Sequence, residues 1–222
     1  MVKLKFNYFD GWDKYRFYPG LELLESFIAG VESDCAADTS QYDDTEKQGY
    51  WDGDPDEGGE WVHVYRELDS RAWDLKDVFH NYFPTLRRGS ALAMLCSFLE
   101  HELNVLCNTV GKHLQLTVTA KDLHGQGIER ARNYLKLCGG VEVQHSKQWE
   151  SVKRIFEVRH ALIHAGGHVL RKEVQQYVEE HPDQLMLQGT ELVIRVGYLQ
   201  HVIATFRAYG NELGDALRGR FA

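Results

Sequence analysis

Apolar positions along this chain recur at three and four residues much more often than at two, which predicts a mainly helical protein. The clearest run covers residues 88–110, where Leu92, Leu95, Leu99, Leu103, Leu106 and Val110 keep helical spacing. A second covers residues 149–167 and ends at the pair Gly166-Gly167. Trp149, Val152, Ile155, Phe156, Leu162 and Ile163 fall on one side of it. Helical spacing also marks 21–31, 61–82 (stopping before Pro84), 121–137 (closed by Gly139-Gly140), 169–180 (before Pro182) and 198–217. Two short segments read differently. Residues 185–195 read as a β-hairpin turning around Gln188-Gly189, and 114–119 form a β-rich connector. Residues 1–19 read as irregular, closed by a turn at Pro19-Gly20. The expected fold is mainly α: a helical bundle over 61–222 with a small β-hairpin. An irregular acidic N-terminal region, residues 1–60, carries a helix and a long loop.

Charge changes this picture locally. The net charge is −8, yet residues 34–60 hold ten acidic side chains against Lys47 alone, so that segment carries −9 and the remainder +1. Its glycines and Pro55 suggest a mobile loop. The stretch from Asp52 resembles a calcium loop, but Glu57 stands where that loop needs glycine and His63 where it needs glutamate, so calcium does not fit. Residues 147–172 are the converse, with six basic side chains against Glu150 and Glu157. That patch is too small for a non-specific duplex binder but suits a short phosphodiester, with Lys153 and Arg154 as expected substrate contacts.

The four cysteines form no Cys-x-x-Cys pair, and Cys96 and Cys107 sit among leucines, the usage of reduced, buried thiols. No apolar run approaches the roughly 18 residues that span a bilayer, and the N-terminus lacks the apolar block of a signal peptide. A cytoplasmic location with no membrane association is expected.

The candidate chemistry lies in 149–167. Arg159 emerges from the apolar side of that helix, and a guanidinium keeps its charge, so burying it without partners is costly. Glu100, on the Cys96–Leu103–Cys107 stripe, is either its inward-facing partner or an edge carboxylate in water. His160 and His164 follow within a turn and a half. With His168 they are spaced by four, but Gly166-Gly167 interrupts the helix and no His-Glu-x-x-His is present, so no metal is expected. Neither a Gly-x-Ser-x-Gly elbow, a phosphate loop nor a dinucleotide fingerprint occurs, and no cofactor is expected. An arginine and a histidine without a metal suit RNA cleavage. The imidazole moves the proton of a ribose 2′-hydroxyl or of the leaving oxygen, and the guanidinium stabilises charge building on the phosphate. Five positions apart on a helix, Arg159 and His164 project about 140° from each other. One copy therefore converges poorly on one phosphate, and a composite site in a homodimer cleft is expected.

The run Arg159-His160-Ala-Leu-Ile-His164, followed by Ala165-Gly166-Gly167, resembles the Arg-polar-x(3–5)-His signature of the HEPN superfamily (higher eukaryotes and prokaryotes nucleotide-binding domains). The helix over 92–107, the stretch Asp122-Leu-x-Gly-x-Gly-Ile-x-Arg-Ala and the closing helix extend the resemblance over roughly 85–218. It implies an up-and-down helical bundle, usually dimeric, and in many members a metal-independent endoribonuclease acting in toxin–antitoxin pairs, phage defence or RNA processing. Carried onto this chain, it makes Arg159 and His164 catalytic and puts His160 in a supporting place where asparagine is common. It also implies an RNA substrate and an antitoxin or defence-system partner. Other members are non-catalytic modules binding nucleotide, RNA or protein, and that alternative stands beside the enzyme.

Overall fold

Leucine spacing accounts for the centre of the molecule. In the computed structural model, which describes residues 8–45, 48–54, 58–143 and 146–221, those leucines form the buried face of one long helix on which most other helices rest. In chain order the elements begin with α1 (Tyr8–Trp12), a π-helical turn (Asp13–Phe17) and α2 (Tyr18–Thr45). Two small antiparallel pairs follow, β1 (Tyr50–Asp52) with β2 (Glu60–Val62) and β3 (Val64–Tyr65) with β4 (Leu68–Asp69). Next come α3 (Leu75–Asp77), a second π-helical turn (Val78–Tyr82) and the central α4 (Phe83–His113). The chain continues through α5 (Gly127–Leu137), α6 (Lys147–His164), α7 (Lys172–Glu179), the hairpin β5 (Leu185–Gln188) and β6 (Glu191–Ile194), and α8 (Tyr198–Phe221). Helix α4 packs against α2, α5, α6 and α8, and α6 packs against α8. No described helix is long and apolar enough to cross a membrane.

The acidic segment departs most from expectation. It is helical as far as Thr45 rather than a loop, and α2 buries Leu21, Ile28, Cys35 and Tyr42, one residue in every seven. Leu24 and Val31 pack between them, giving a heptad seam that continues beneath the carboxylates. Those carboxylates find basic partners on other elements: Glu25 with Arg207, Glu32 with Arg88, Asp38 with Arg66 and Arg87, and Asp43 with His80. The expected boundary at residue 60 has one core on both sides of it. Phe9, Trp12, Phe17, Leu21 and Ile28 cluster with the apolar faces of α4, α6 and α8. Glu46, Lys47, Pro55, Asp56 and Glu57, which entered the charge and calcium-loop readings, lie outside the described residues.

Neither the turn expected at Pro19-Gly20 nor the helix stop expected before Pro84 forms. Pro19 and Pro84 each lie two residues beyond a π-helical turn, near the start of a long helix. Proline lacks an N–H and its ring crowds the carbonyl four residues earlier; here that carbonyl belongs to Tyr15 or His80, inside the widened turn. Gly20 lies in α2 because a Cβ there would meet the Phe98 ring at 2.5 Å. Of the expected helix over 61–82, residues 75–82 are helical, as α3 and the π-helical turn, while 61–69 are strands about a tight turn. Arg66 and Glu67 hold the β3–β4 turn with positive φ (49° and 66°), a conformation that usually calls for glycine or asparagine. Arg66 is pinned there by Asp38 (2.8 Å) and Gln41 (2.9 Å). Leu116 and Val118, in the expected β connector, stay exposed without a partner strand among the described residues. The hairpin at Gln188-Gly189 forms as read, with Gly189 at φ 62°.

Candidate functional site

Helix α6 starts at a side-chain cap and stops at a glycine pair, and both ends follow from local chemistry. Ser146 Oγ accepts the Trp149 N–H at 2.9 Å and donates to the Glu212 carboxylate. At the other end the N–H groups of Ala165 and Gly167 both reach the Ala161 carbonyl, at 3.1 and 3.0 Å. Gly166 and Gly167 take φ of 59° and 87°, which only glycine adopts without strain. The chain then lies along β6: Val169 N–H donates to Thr190 O (2.8 Å), and Leu192 N–H to Gly167 O (3.0 Å). The last turn of α6 is thus held from both sides.

Trp149, Val152, Ile155, Val158 and Ala161 are the buried face of α6. Ile163, expected on that face, is 44% exposed. Arg159 lies within about 40° of Val152 and Ile155 around the helix, so its stem enters the packed side. It is half-buried, and its Nε is buried with no hydrogen-bond partner among the described residues. Arg159 is the one permanently charged residue in that condition among those described. Glu100, expected either as its partner or as an edge carboxylate, is not in contact. Glu100 is half-buried, but no ion pair joins the two; its Oε1 lies 3.5 Å from where a Cβ on Gly127 would stand, at the start of α5. Between them is Cys96, whose thiol is pushed well up by burial, opposed by the Arg159 charge and reinforced by Glu100.

His160 and His164 are both exposed, and their rings face each other with centroids 4.8 Å apart. The structure therefore gathers Arg159, His160 and His164 at one helix end but points the arginine inward and the imidazoles outward. His168 leaves the helix and its Nδ1 meets Thr190 Oγ1 at 2.9 Å. Among the described residues no group of three or more His, Cys, Asp or Glu is arranged to hold a metal ion.

The expected substrate contacts are already engaged. Lys153 pairs with Glu150 (2.8 Å) and Arg154 with Glu157 (2.8 Å), and Arg171 approaches the same Glu157 at 3.3 Å. Such pairs at the surface are worth about 0–1 kcal/mol. Arg171 was legible in the sequence only as one charge in the basic patch; its link to α6 through Glu157 was not. Chemically, the site offers one desolvated guanidinium edge, two solvent-facing imidazoles and three cations held loosely by two glutamates. No protein-family model, curated protein or solved structure matches the chain.

Proposed function

We propose that this protein is a metal-independent endoribonuclease of HEPN type, acting through Arg159 and His164 in a cleft between two copies of α6. The observation that carries this reading is the Arg159 Nε, a buried donor on a permanent cation with nothing to bond. A group so costly to leave unsatisfied is expected where a ligand supplies the partner. A phosphate oxygen is the natural one, given the cations of the same helix.

In the proposed reaction His164 of one copy takes the proton from a ribose 2′-hydroxyl. The 2′-oxygen bonds to phosphorus, Arg159 stabilises the charge on the non-bridging oxygens, and the P–O5′ bond breaks. His164 of the partner subunit gives a proton to the departing 5′-oxygen, leaving a 2′,3′-cyclic phosphate and a 5′-hydroxyl. The dimer is favoured by the divergence of Arg159 from His164 and by uncovered apolar surface around them. Ile163 is 44% and Leu170 75% exposed, and Leu162 packs toward Gly89, near the exposed Leu86 of α4. A toxin or phage-defence role, with an antitoxin or defence-system partner, accompanies the family resemblance.

The test compares the wild type with Arg159→Ala and His164→Ala on bulk RNA in EDTA, with folding and mass checked for each. Cleavage that leaves cyclic-phosphate ends and disappears in both variants supports the reading. Intact RNA with all three proteins favours the alternative, a binding module for nucleotide, RNA or a protein partner.

A further inference from the structure

A second site stands away from α6, on the outer side of the small aromatic core beside α2. Tyr42, Leu75 and Phe79 are its buried centre, with Tyr65, Leu68, Val78 and Phe83 packed against them. Outside this cluster opens a cavity of about 290 Å³ walled by the rings of Trp73, Tyr82 and Phe83. Trp73 is 56% and Tyr82 54% exposed, unusual for large rings with no described partner element covering them. Phe83 is held edge-on against Phe79 at 5.2 Å, and Tyr82 lies 5.9 Å from Phe83 at 47°, so the rings are splayed rather than stacked.

Leu68 and Val78 complete the apolar wall, and Asp74 and Asp77 supply its polar part. Asp74 caps α3 by accepting the Asp77 N–H on Oδ1 at 3.0 Å, and Asp77 Oδ1 accepts from Asn81 (2.8 Å) and Gln188 (3.0 Å). Each carboxylate is thereby fixed through one oxygen, and its Oδ2 has no hydrogen-bond partner among the described residues. Among the described residues no basic side chain lines the cavity. The far side of the same aromatic cluster shows what this combination holds. There the Arg66 guanidinium lies 5.3 Å from the Tyr65 ring centre and 5.8 Å from that of Phe79, paired with the Asp38 carboxylate at 2.8 Å. Ring faces carry negative potential, and a cation shielded by them and by a carboxylate is bound without full hydration.

We infer that the Trp73–Tyr82–Phe83 cavity binds a methylated ammonium group, its positive charge held by the ring faces and by Asp74 and Asp77. Apolar methyls suit the rings better than a strongly hydrated primary ammonium does. The volume, near the lower end of small-molecule sites, admits a choline-sized head with room beyond it. Either a free small molecule or a trimethylated lysine side chain carries this chemistry. The site is independent of the ribonuclease reading.

Calorimetric titration of the full chain tests it with choline, with its uncharged isostere 3,3-dimethylbutanol, and with a short peptide carrying trimethyl-lysine or unmodified lysine. Choline or the trimethylated peptide is expected to bind saturably below about 10 mM, the neutral isostere at least about tenfold more weakly. Tighter binding of the peptide identifies a protein side chain as the source, and tighter binding of choline a free metabolite. Trp73→Ala is expected to weaken binding about tenfold and Asp77→Asn by a smaller factor, while Trp73→Phe retains most of it. Because Trp73 is more than half exposed, its loss leaves the fold intact, which circular dichroism verifies. No saturation with either cation, equal affinity for the neutral isostere, or unchanged affinity in folded Trp73→Ala would each overturn the proposal.

Discussion

Two arginines enter the interior of this protein under opposite terms. Arg88, on α4, is buried and fully answered: Nε and Nη2 bond the Glu32 carboxylate at 2.8–3.2 Å, and Nη1 donates to the Ile194 carbonyl at 3.0 Å. It ties α2, α4 and β6 together, and its charge is spent inside the fold. Arg159, on α6, is half-buried, and its Nε is buried with no hydrogen-bond partner among the described residues. A buried arginine marks a candidate site only when its donors remain open.

The largest effect expected from breaking this contrast is at Arg88. Arg88→Ala should cost about 3–5 kcal/mol in urea unfolding, because it strands the Glu32 carboxylate. A double change, Arg88→Met with Glu32→Leu, should recover much of that loss. Next, Gly167→Ala should cost about 1–2 kcal/mol. Space is open around Gly167, so the loss measures only the left-handed backbone that ends α6 beside the histidines.

A smaller effect concerns pH. Burial, with the His181 imidazole 4.8 Å away, holds His201 below the usual imidazole value of 6.5. In that range the unfolded chain binds the proton more readily, so the native state loses stability as pH falls below 6.5. His201→Gln should flatten this slope in melting temperatures measured from pH 7 to 5. The smallest effect is at the surface: Arg154→Ala should change stability by under about 0.5 kcal/mol while weakening RNA binding more steeply at low salt than at high salt.

Much of the fold could be read from spacing alone. The leucines of α4 and the face of α6 announce their elements because each buries one regular stripe, and the hairpin is announced by its turn at Gln188-Gly189. Helix α2 was legible only to Val31, since acidic composition masked the seven-residue recurrence of Leu21, Ile28, Cys35 and Tyr42. The β3–β4 turn was hidden for another reason. Its positive φ values fall on Arg66 and Glu67, held by Asp38 and Gln41 from a distant helix, and no local pattern records that. The same holds for Trp73 and Tyr82, brought to one cavity by α3 and the π-helical turn after it. At the α6 site, the residues and their shared helix end were readable. The inward side of Arg159 was readable too, but the lack of contact with Glu100, the pairing of His160 with His164, and the glutamates on Lys153 and Arg154 were not, because they depend on neighbouring side chains.

The most direct measurement sets stability against activity at Arg159. An apolar side chain of similar length removes the orphaned donor without opening a cavity, so Arg159→Met should unfold within about 1 kcal/mol of the wild type, or later than it. The same variant should lose RNA cleavage. A loss of about 3 kcal/mol or more, as expected of Arg88, would make Arg159 structural and contradict the account.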